Sequence, residues 1–401
     1  MWKKVTLFLI ILFFVLLSDA VLSDWVPGYL QTLLGSPLKM GLMMAVSSLV
    51  GLLMDLLFPR MLRQSGVRKL AGSAILGSLV FLVSMFSSTW FGYVIILVIG
   101  MAAWGVYYEL DSFMTQQFVA GVAPHDQRSS VWGVVGVVRS LAYMLGPIIG
   151  GYIVLYGDRA VVLSAATVLL VAYLAFLLLM HPAREHVEEI DVHSIDVVSE
   201  VRHWLRLGSR VWPILLVSVM GGLVDATFWS TGTVLNDTLA RQHFAGGWLM
   251  SAYMLPYLFV GLIVAKWGID TGKKKWAETF VLIGGALLVL LSRIENVWLI
   301  LLCIFASSVF FAMAWPLIDA VYTDLVARSR RGKKHLMGMS SAALSMAFVI
   351  GPIVSGWLAG EYGERQNFAI IGGLVVVGAV ILLLVTPKKL NLPQKEIATW
   401  E

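Results

Sequence analysis

The sequence predicts an all-α membrane protein of twelve transmembrane helices, arranged as two six-helix bundles. Three observations carry this. Hydrophobic residues make up 59% of the 401 residues and charged residues only 13%, against roughly 25% charged in a soluble domain. The apolar residues fall in runs of about the 20 residues a spanning helix needs. The runs also lack the period-two alternation of membrane strands.

Taken in order, the expected spans are 5–27, 38–58, 68–88, 91–118, 129–155, 159–181, 211–235, 246–266, 276–292, 297–325, 335–358 and 367–386. The first has the basic start, apolar stretch and small residues of a secretory signal. It is read as a helix because its Asp19 has a counterpart in the second half. The hydrophilic stretch 182–210 divides the chain into a first bundle, 1–181, and a second, 211–386, followed by a tail, 387–401. The linker opens on an acidic segment and closes on "SEVRHWLRLGSR", whose alternating apolar and basic residues suit an interfacial helix. His186, His193 and His203 lie near its carboxylates without the tight spacing of a metal site.

The net charge of +5 does not imply nucleic acid, because the basic residues cluster in short loops between apolar runs. Of 29 Lys and Arg, the loops on one side hold only Lys39, Arg159, Arg241, Arg293 and Arg365, and Arg139 lies inside the fifth span. The others fall on the side that carries both termini, so the positive-inside rule makes the termini cytoplasmic. The expected location is the plasma membrane of a prokaryote-like cell. The one cysteine, Cys303, can form no intrachain disulfide.

The halves repeat. Asp19-Ala20 falls on Asp225-Ala226, Gly41 on Gly247, Gly66 on Gly272 and Lys69 on Lys275, all at an offset of 206. Gly133, Gly146, Pro147 and Gly151 fall on Gly338, Gly351, Pro352 and Gly356 at 205. Six helices per copy make the repeat parallel, about an axis along the membrane normal, with a substrate path expected between the halves.

In the fifth span, Ala142, Gly146, Pro147, Gly150 and Gly151 resemble the antiporter motif of the major facilitator superfamily, Gly-x3-Gly-Pro-x2-Gly-Gly, with Ala at the first glycine. The eleventh repeats it as Ala347, Gly351, Pro352, Ser355 and Gly356. Small residues let helices approach closely and proline breaks the hydrogen-bond ladder, so the segment suits a gate. The family's loop motif, Gly-x3-Asp-basic-x-Gly-x-basic-basic, is met at its end by Gly66, Arg68 and Lys69, but Pro59 and Arg63 stand at its first glycine and its aspartate. In the corresponding loop of the second half, Asp270 is displaced by one place before Gly272 and Lys273. The arginine that drug antiporters of this family tend to carry in the fourth helix is absent.

Ionisable side chains within a span cost about 2.5–3.5 kcal/mol on insertion scales and mark function by default. Here they are Asp19, Asp55, Glu109, Asp111, Arg139, Asp225 and Asp319. In the resembled fold the first, fourth, seventh and tenth helices line the central cavity, and five of these residues lie on them. Asp111 and Asp319 fall toward the terminus-bearing ends, where hydration accounts for them. Asp19, Asp225, Glu109 and Arg139 lie deeper, and Asp55 is a structural partner or a pathway residue. Glu109 and Arg139, at matched depth about 15–17 Å from their shared loop, are expected to pair. Trp104, Tyr107, Tyr108, Trp229 and Trp315 lie near these charges in sequence, with Tyr108 and Trp229 as pathway candidates.

No Walker-type phosphate loop and no nucleophile–base constellation is present, so neither ATP hydrolysis nor an enzyme, and no cofactor or metal, is expected. The resemblance implies a monomeric secondary transporter working by alternating access. Its expected partners are a small-molecule substrate, protons and the lipid bilayer. Proton-coupled export of a small organic molecule follows from the fifth-span motif. Proton-coupled uptake of a sugar or nutrient is the alternative, and a non-transporting membrane receptor or assembly partner is the reading from another class.

Overall fold

A computed structural model describes residues 2–61, 66–124, 127–180, 197–267, 271–328 and 333–387, with only the backbone described at some of these, Asp55 among them. Six helices form the first half: α1 (Trp2–Leu34), α2 (Pro37–Met61), α3 (Val67–Ser88), α4 (Val94–Val122), α5 (Arg128–Ile153) and α6 (Asp158–Leu179). The second half holds α7 (Val197–Thr227), α8 (Thr233–Gln242), α9 (Leu249–Trp267), α10 (Lys273–Leu290), α11 (Val297–Arg328), α12 (Lys333–Tyr362) and α13 (Glu364–Val385). No strand occurs among the described residues.

Eleven of these stretches are long and apolar enough to cross a membrane, and α7 and α8 form one of them, Leu207–Gln242. They are joined by a π-helical turn, Phe228–Gly232, the kind of bulge that often sits at a functional site. The expected eighth span is met by α9, which runs from Leu249 to Trp267. Several helices outrun their expected ends, because a helix ends where capping and solvent allow, not where hydropathy falls. Thus α4 continues to Val122, and α11 to Arg328. The stretch expected as an interfacial helix is continuous with the seventh span, since α7 already begins at Val197. The acidic segment 182–196 lies outside the described residues.

Each half has its own apolar core. One is built on α1, α3, α4 and α6, around Phe8, Phe81, Met101 and Tyr173; the other on α7, α9, α10, α11 and α13, around Phe228, Tyr253, Phe311 and Phe368. The sequence repeat recurs in three-dimensional contacts. Gly157 and Gly363 stand at offset 206 with φ of 100° and 86°, and each N-caps the last helix of its half. That left-handed backbone favours glycine. Arg68 on α3 donates to the Leu177 carbonyl at the end of α6, 2.6 Å away. Lys275 on α10 does the same for α13, reaching the Leu382 and Leu383 carbonyls at 2.9 Å each. Basic side chains at helix C-termini satisfy orphan carbonyls and oppose the helix dipole.

The halves meet chiefly through α2 with α12 and α5 with α9. A Cβ on Gly41 would strike the Pro352 carbonyl, and one on Gly356 would strike the Pro37 carbonyl. On the other side, Ser251 of α9 donates to the Met144 carbonyl of α5 at 2.7 Å. All these contacts lie toward the end remote from the two chain termini.

Candidate functional site: a cavity between the halves

Beneath that closure lies a cavity of about 560 Å³, walled by α1, α2, α4 and α5 of the first half and α7, α9, α12 and the π turn of the second. Its volume falls within the range of about 300–1,000 Å³ typical of small-molecule sites. Four carboxylates, Asp19, Glu109, Asp111 and Asp225, face it with one guanidinium, Arg139. Pro352 closes its upper part, and Leu52, Ser112 and Leu344 carry its wall toward the terminus-bearing end.

Asp19 is the most heavily bonded of these groups. It is 2% exposed, and its Oδ2 accepts from Tyr143 at 2.5 Å and Tyr108 at 2.7 Å. Oδ1 accepts from the Trp104 indole at 3.1 Å, and Ser23 stands 3.5 Å from Oδ2. Trp104 is held for this by stacking on Phe81, centroids 4.7 Å apart. An ionised carboxylate is acceptor-only, with about four lone-pair sites, so these donors nearly fill it. A proton on Asp19 would turn an acceptor into a donor and force the hydroxyls around it to reorient.

Asp225, its repeat mate, is placed differently. Among the described residues its one hydrogen bond is from Tyr253, at 2.6 Å, and Tyr257 stands 3.4 Å from the Tyr253 hydroxyl. Phe228, the first residue of the π turn, stacks on Tyr253 at 3.7 Å. The next residue, Trp229, turns to the cavity and meets Tyr143 edge-on at 5.2 Å. Asp19, Tyr143 and Trp229 thus form a chain of contacts from one half to the other.

The antiporter-like motif supports both acids. A Cβ on Gly146 would strike Ala20, beside Asp19, and one on Gly351 would lie 2.6 Å from Ala226 Cβ, beside Asp225. The repeated glycine therefore sets the spacing between each acid's helix and its neighbour, α5 on α1 and α12 on α7. A Cβ on Gly150 would make ordinary contact with Val21, 3.5 Å from its Cγ1, Ala142 is fully buried, and Pro147 is buried within α5. A Cβ on Gly151 would enter open space.

Of the expected site residues, Asp19, Asp225, Glu109, Arg139, Tyr108 and Trp229 all line the cavity. The Asp55 side chain lies outside the described residues, as does Asp270. The expected Glu109–Arg139 ion pair is not among the ion pairs of the described residues. Glu109 faces α2, where its Oε1 lies 3.2 Å from a Cβ position on Gly51. Asp111 lies within electrostatic reach of Arg139. Two residues on one helix point about 200° apart, so depth alone could not choose between them. Asp111 is also not the hydrated end residue expected: it is 6% exposed and accepts from the fully buried Tyr173 at 3.0 Å. Asp319 is exposed. Tyr143, Tyr253 and Tyr257 were not read as site residues; one usable signal was Tyr143's place directly after Ala142 of the motif.

The loop-motif residues do structural work. Gly66 N-caps α3 and Gly272 N-caps α10. Lys69 is exposed. Lys273 pairs with Asp324 at the end of α11, 3.0 Å away.

Two helical bundles related by a repeat, meeting above a central charged cavity, define the class of alternating-access membrane carriers. The comparisons are specific. The family model described as the Major Facilitator Superfamily matches residues 7–241 and 214–400. The chain belongs to the Major Facilitator Superfamily and is a secondary transporter. It is 25% identical over 287 residues to the class E tetracycline resistance protein of Escherichia coli, covering 69% of each chain. It is 22% identical over 284 residues to the quinolone resistance protein NorA of Staphylococcus aureus, covering 70% of each. Solved structures share the fold: a peptide transporter, POT, with sulfate (TM-score 0.72, 14% identity, 96% of this chain and 94% of that one) and the nucleoside transporter NupG (0.72, 12%, 94% and 99%).

Proposed function

We propose that this carrier exports a small organic compound, cationic or weakly basic, in exchange for protons, without chemical change to its cargo. The observation that carries the reading is that, among the described residues of the cavity wall, four carboxylates stand with one arginine. Such a site favours a positive guest. Trp104, Tyr107, Tyr108, Trp229 and Tyr257 add aromatic faces beside the acids, and a cation over such a face gains about 0.5–2 kcal/mol. The relatives named for tetracycline and quinolone resistance support export and a drug-like cargo. For the proton, Asp19 and Asp225 are the pathway acids, since they are embedded, repeat-related and open to the cavity. The reading places the chain as a monomer in the plasma membrane with both termini cytoplasmic.

The test is energised everted membrane vesicles carrying the protein and offered a fluorescent aromatic cation. Accumulation that a protonophore abolishes is the expected result. Accumulation unaffected by the protonophore, or protein-dependent uptake of a neutral sugar in place of the cation, overturns it.

A further inference from the structure

A second pair of acids lies above the cavity, outside its wall. Asp24, on α1, is 4% exposed, and its Oδ1 is enclosed without a hydrogen-bond partner. Gln31, seven residues on and so on the same stripe of α1, has a buried Oε1 that is also unpartnered. Between them is Gly28, and a Cβ there would lie 2.9 Å from Oδ2 of Asp237 on α8 of the other half. Asp24 lies one turn of α1 before Gly28, so the Asp237 carboxylate that crowds Gly28 bears on it through its charge. This is where α1 and α8 meet, and Val234 of α8 packs into the first half's core beside it.

The other polar groups here are accounted for. Arg241, one turn on along α8, and Asn236 both bear on Asp237. Asp158, at the start of α6, accepts from the Trp25 indole at 2.7 Å. The Tyr29 hydroxyl is 2.8 Å from Ser88 Oγ. Among the described residues no cation stands beside Asp24. Two neighbouring carboxylates, one of them 4% exposed, resist being charged at once. With Arg241 offsetting one of them, a single added positive charge balances the group. A calcium ion would bring two charges and call for about six to eight oxygen ligands.

We propose that Asp24 and Asp237 form a one-proton site: a proton on Asp24, shared with the Asp237 carboxylate, latches the halves together at the end remote from the termini, and its loss lets them part. Separating the halves pulls the acids apart and wets them from that side alone, so the proton enters and leaves there. The carrier then shuts that gate only after a proton arrives from that side. This deepens the antiport reading and rests on it: the latch makes reclosure after cargo release wait for a proton from the side to which the cargo left, while net proton transfer stays with Asp19 and Asp225.

The test uses purified protein in lipid nanodiscs, in a Cys303→Ser background, with Ser251→Cys as reporter. Ser251 is 9% exposed and sits in the α5–α9 closure. Maleimide labelling is measured from mildly acid to mildly alkaline pH and normalised to the unfolded protein at each pH. The latch predicts labelling that climbs with pH by up to about tenfold per unit, the limit for one proton. Asp24→Asn, a permanently neutral donor, should give low labelling at every pH, and Asp237→Asn should flatten the profile. Should Asp24→Asn fail to fold, Asp24→Glu should keep a pH-dependent profile. A wild-type profile in the folded Asn variants, a flat profile in Asp24→Glu, or labelling that follows sodium at fixed pH overturns the latch. Labelling reads the gate and not flux. A pH-insensitive gate with intact proton-coupled flux defeats the latch alone; a pH-sensitive gate in a carrier whose flux ignores pH defeats the antiport reading alone.

Discussion

At the scale of single residues, two acids alike in sequence are made unlike by what surrounds them. Tyr108, Tyr143 and Trp104 nearly fill the acceptor capacity of Asp19, while among the described residues Asp225 receives Tyr253 alone. Under the proposed function, Asp225 keeps acceptor capacity for a guest, and Asp19 is linked through Tyr143 to Trp229, a route by which its protonation would reach the other half. Arg139 and Asp111 are the second feature at this scale. Arg139 is exposed to the cavity and bears on the buried Asp111 through its charge, so a coupling near the low end of about 0.5–3 kcal/mol is expected. Folding yield and thermal stability should fall in Arg139→Gln and recover in part in Asp111→Asn/Arg139→Gln. Equal losses in the single and double variants would show that the two are not coupled.

At the scale of elements, the glycine motif separates into members with different work. Gly146 and Gly351 admit the acid-bearing helices, whereas Gly151 faces open space. Overpacking a tight contact costs about 1–3 kcal/mol. Gly146→Leu should therefore insert normally yet lose transport, while Gly151→Leu should keep it; flux assays on both variants in the same vesicles decide the matter. Full transport by Gly146→Leu would remove the structural role assigned to the motif. The helices themselves were legible because a run of apolar residues has one stable form in a bilayer, with its backbone bonds satisfied internally. Their ends were not, as α7 shows by starting well inside the polar linker. The two acids were legible through the repeat. Their tyrosine donors were not, because aromatic residues are common in every span and only packing brings Tyr143 of α5 to Asp19 of α1. The same limit explains Glu109: depth follows from residue number, but facing follows from helix rotation.

At the scale of the whole molecule, the close contacts of Gly41, Gly356 and Ser251 between the halves lie above the cavity, which points to a carrier with that gate shut. Rocking the bundles about the level of Asp19 and Asp225 would part α2 from α12 and α5 from α9 and expose the same cavity to the other side. With the termini cytoplasmic, the shut gate is the outer one. A cysteine placed in the 182–210 linker of a Cys303→Ser protein should then be labelled only from the cytoplasmic side, and labelling by an impermeant reagent on intact cells would reverse the orientation. The central claim is that Asp19 and Asp225 tie cargo movement to protons. It is tested most directly in liposomes under an imposed pH gradient, comparing the wild-type carrier with Asp19→Asn/Asp225→Asn at matched reconstitution. The account predicts gradient-driven flux in the wild type and none above protein-free liposomes in the double variant. A folded double variant that still drives its cargo with the pH gradient would contradict it.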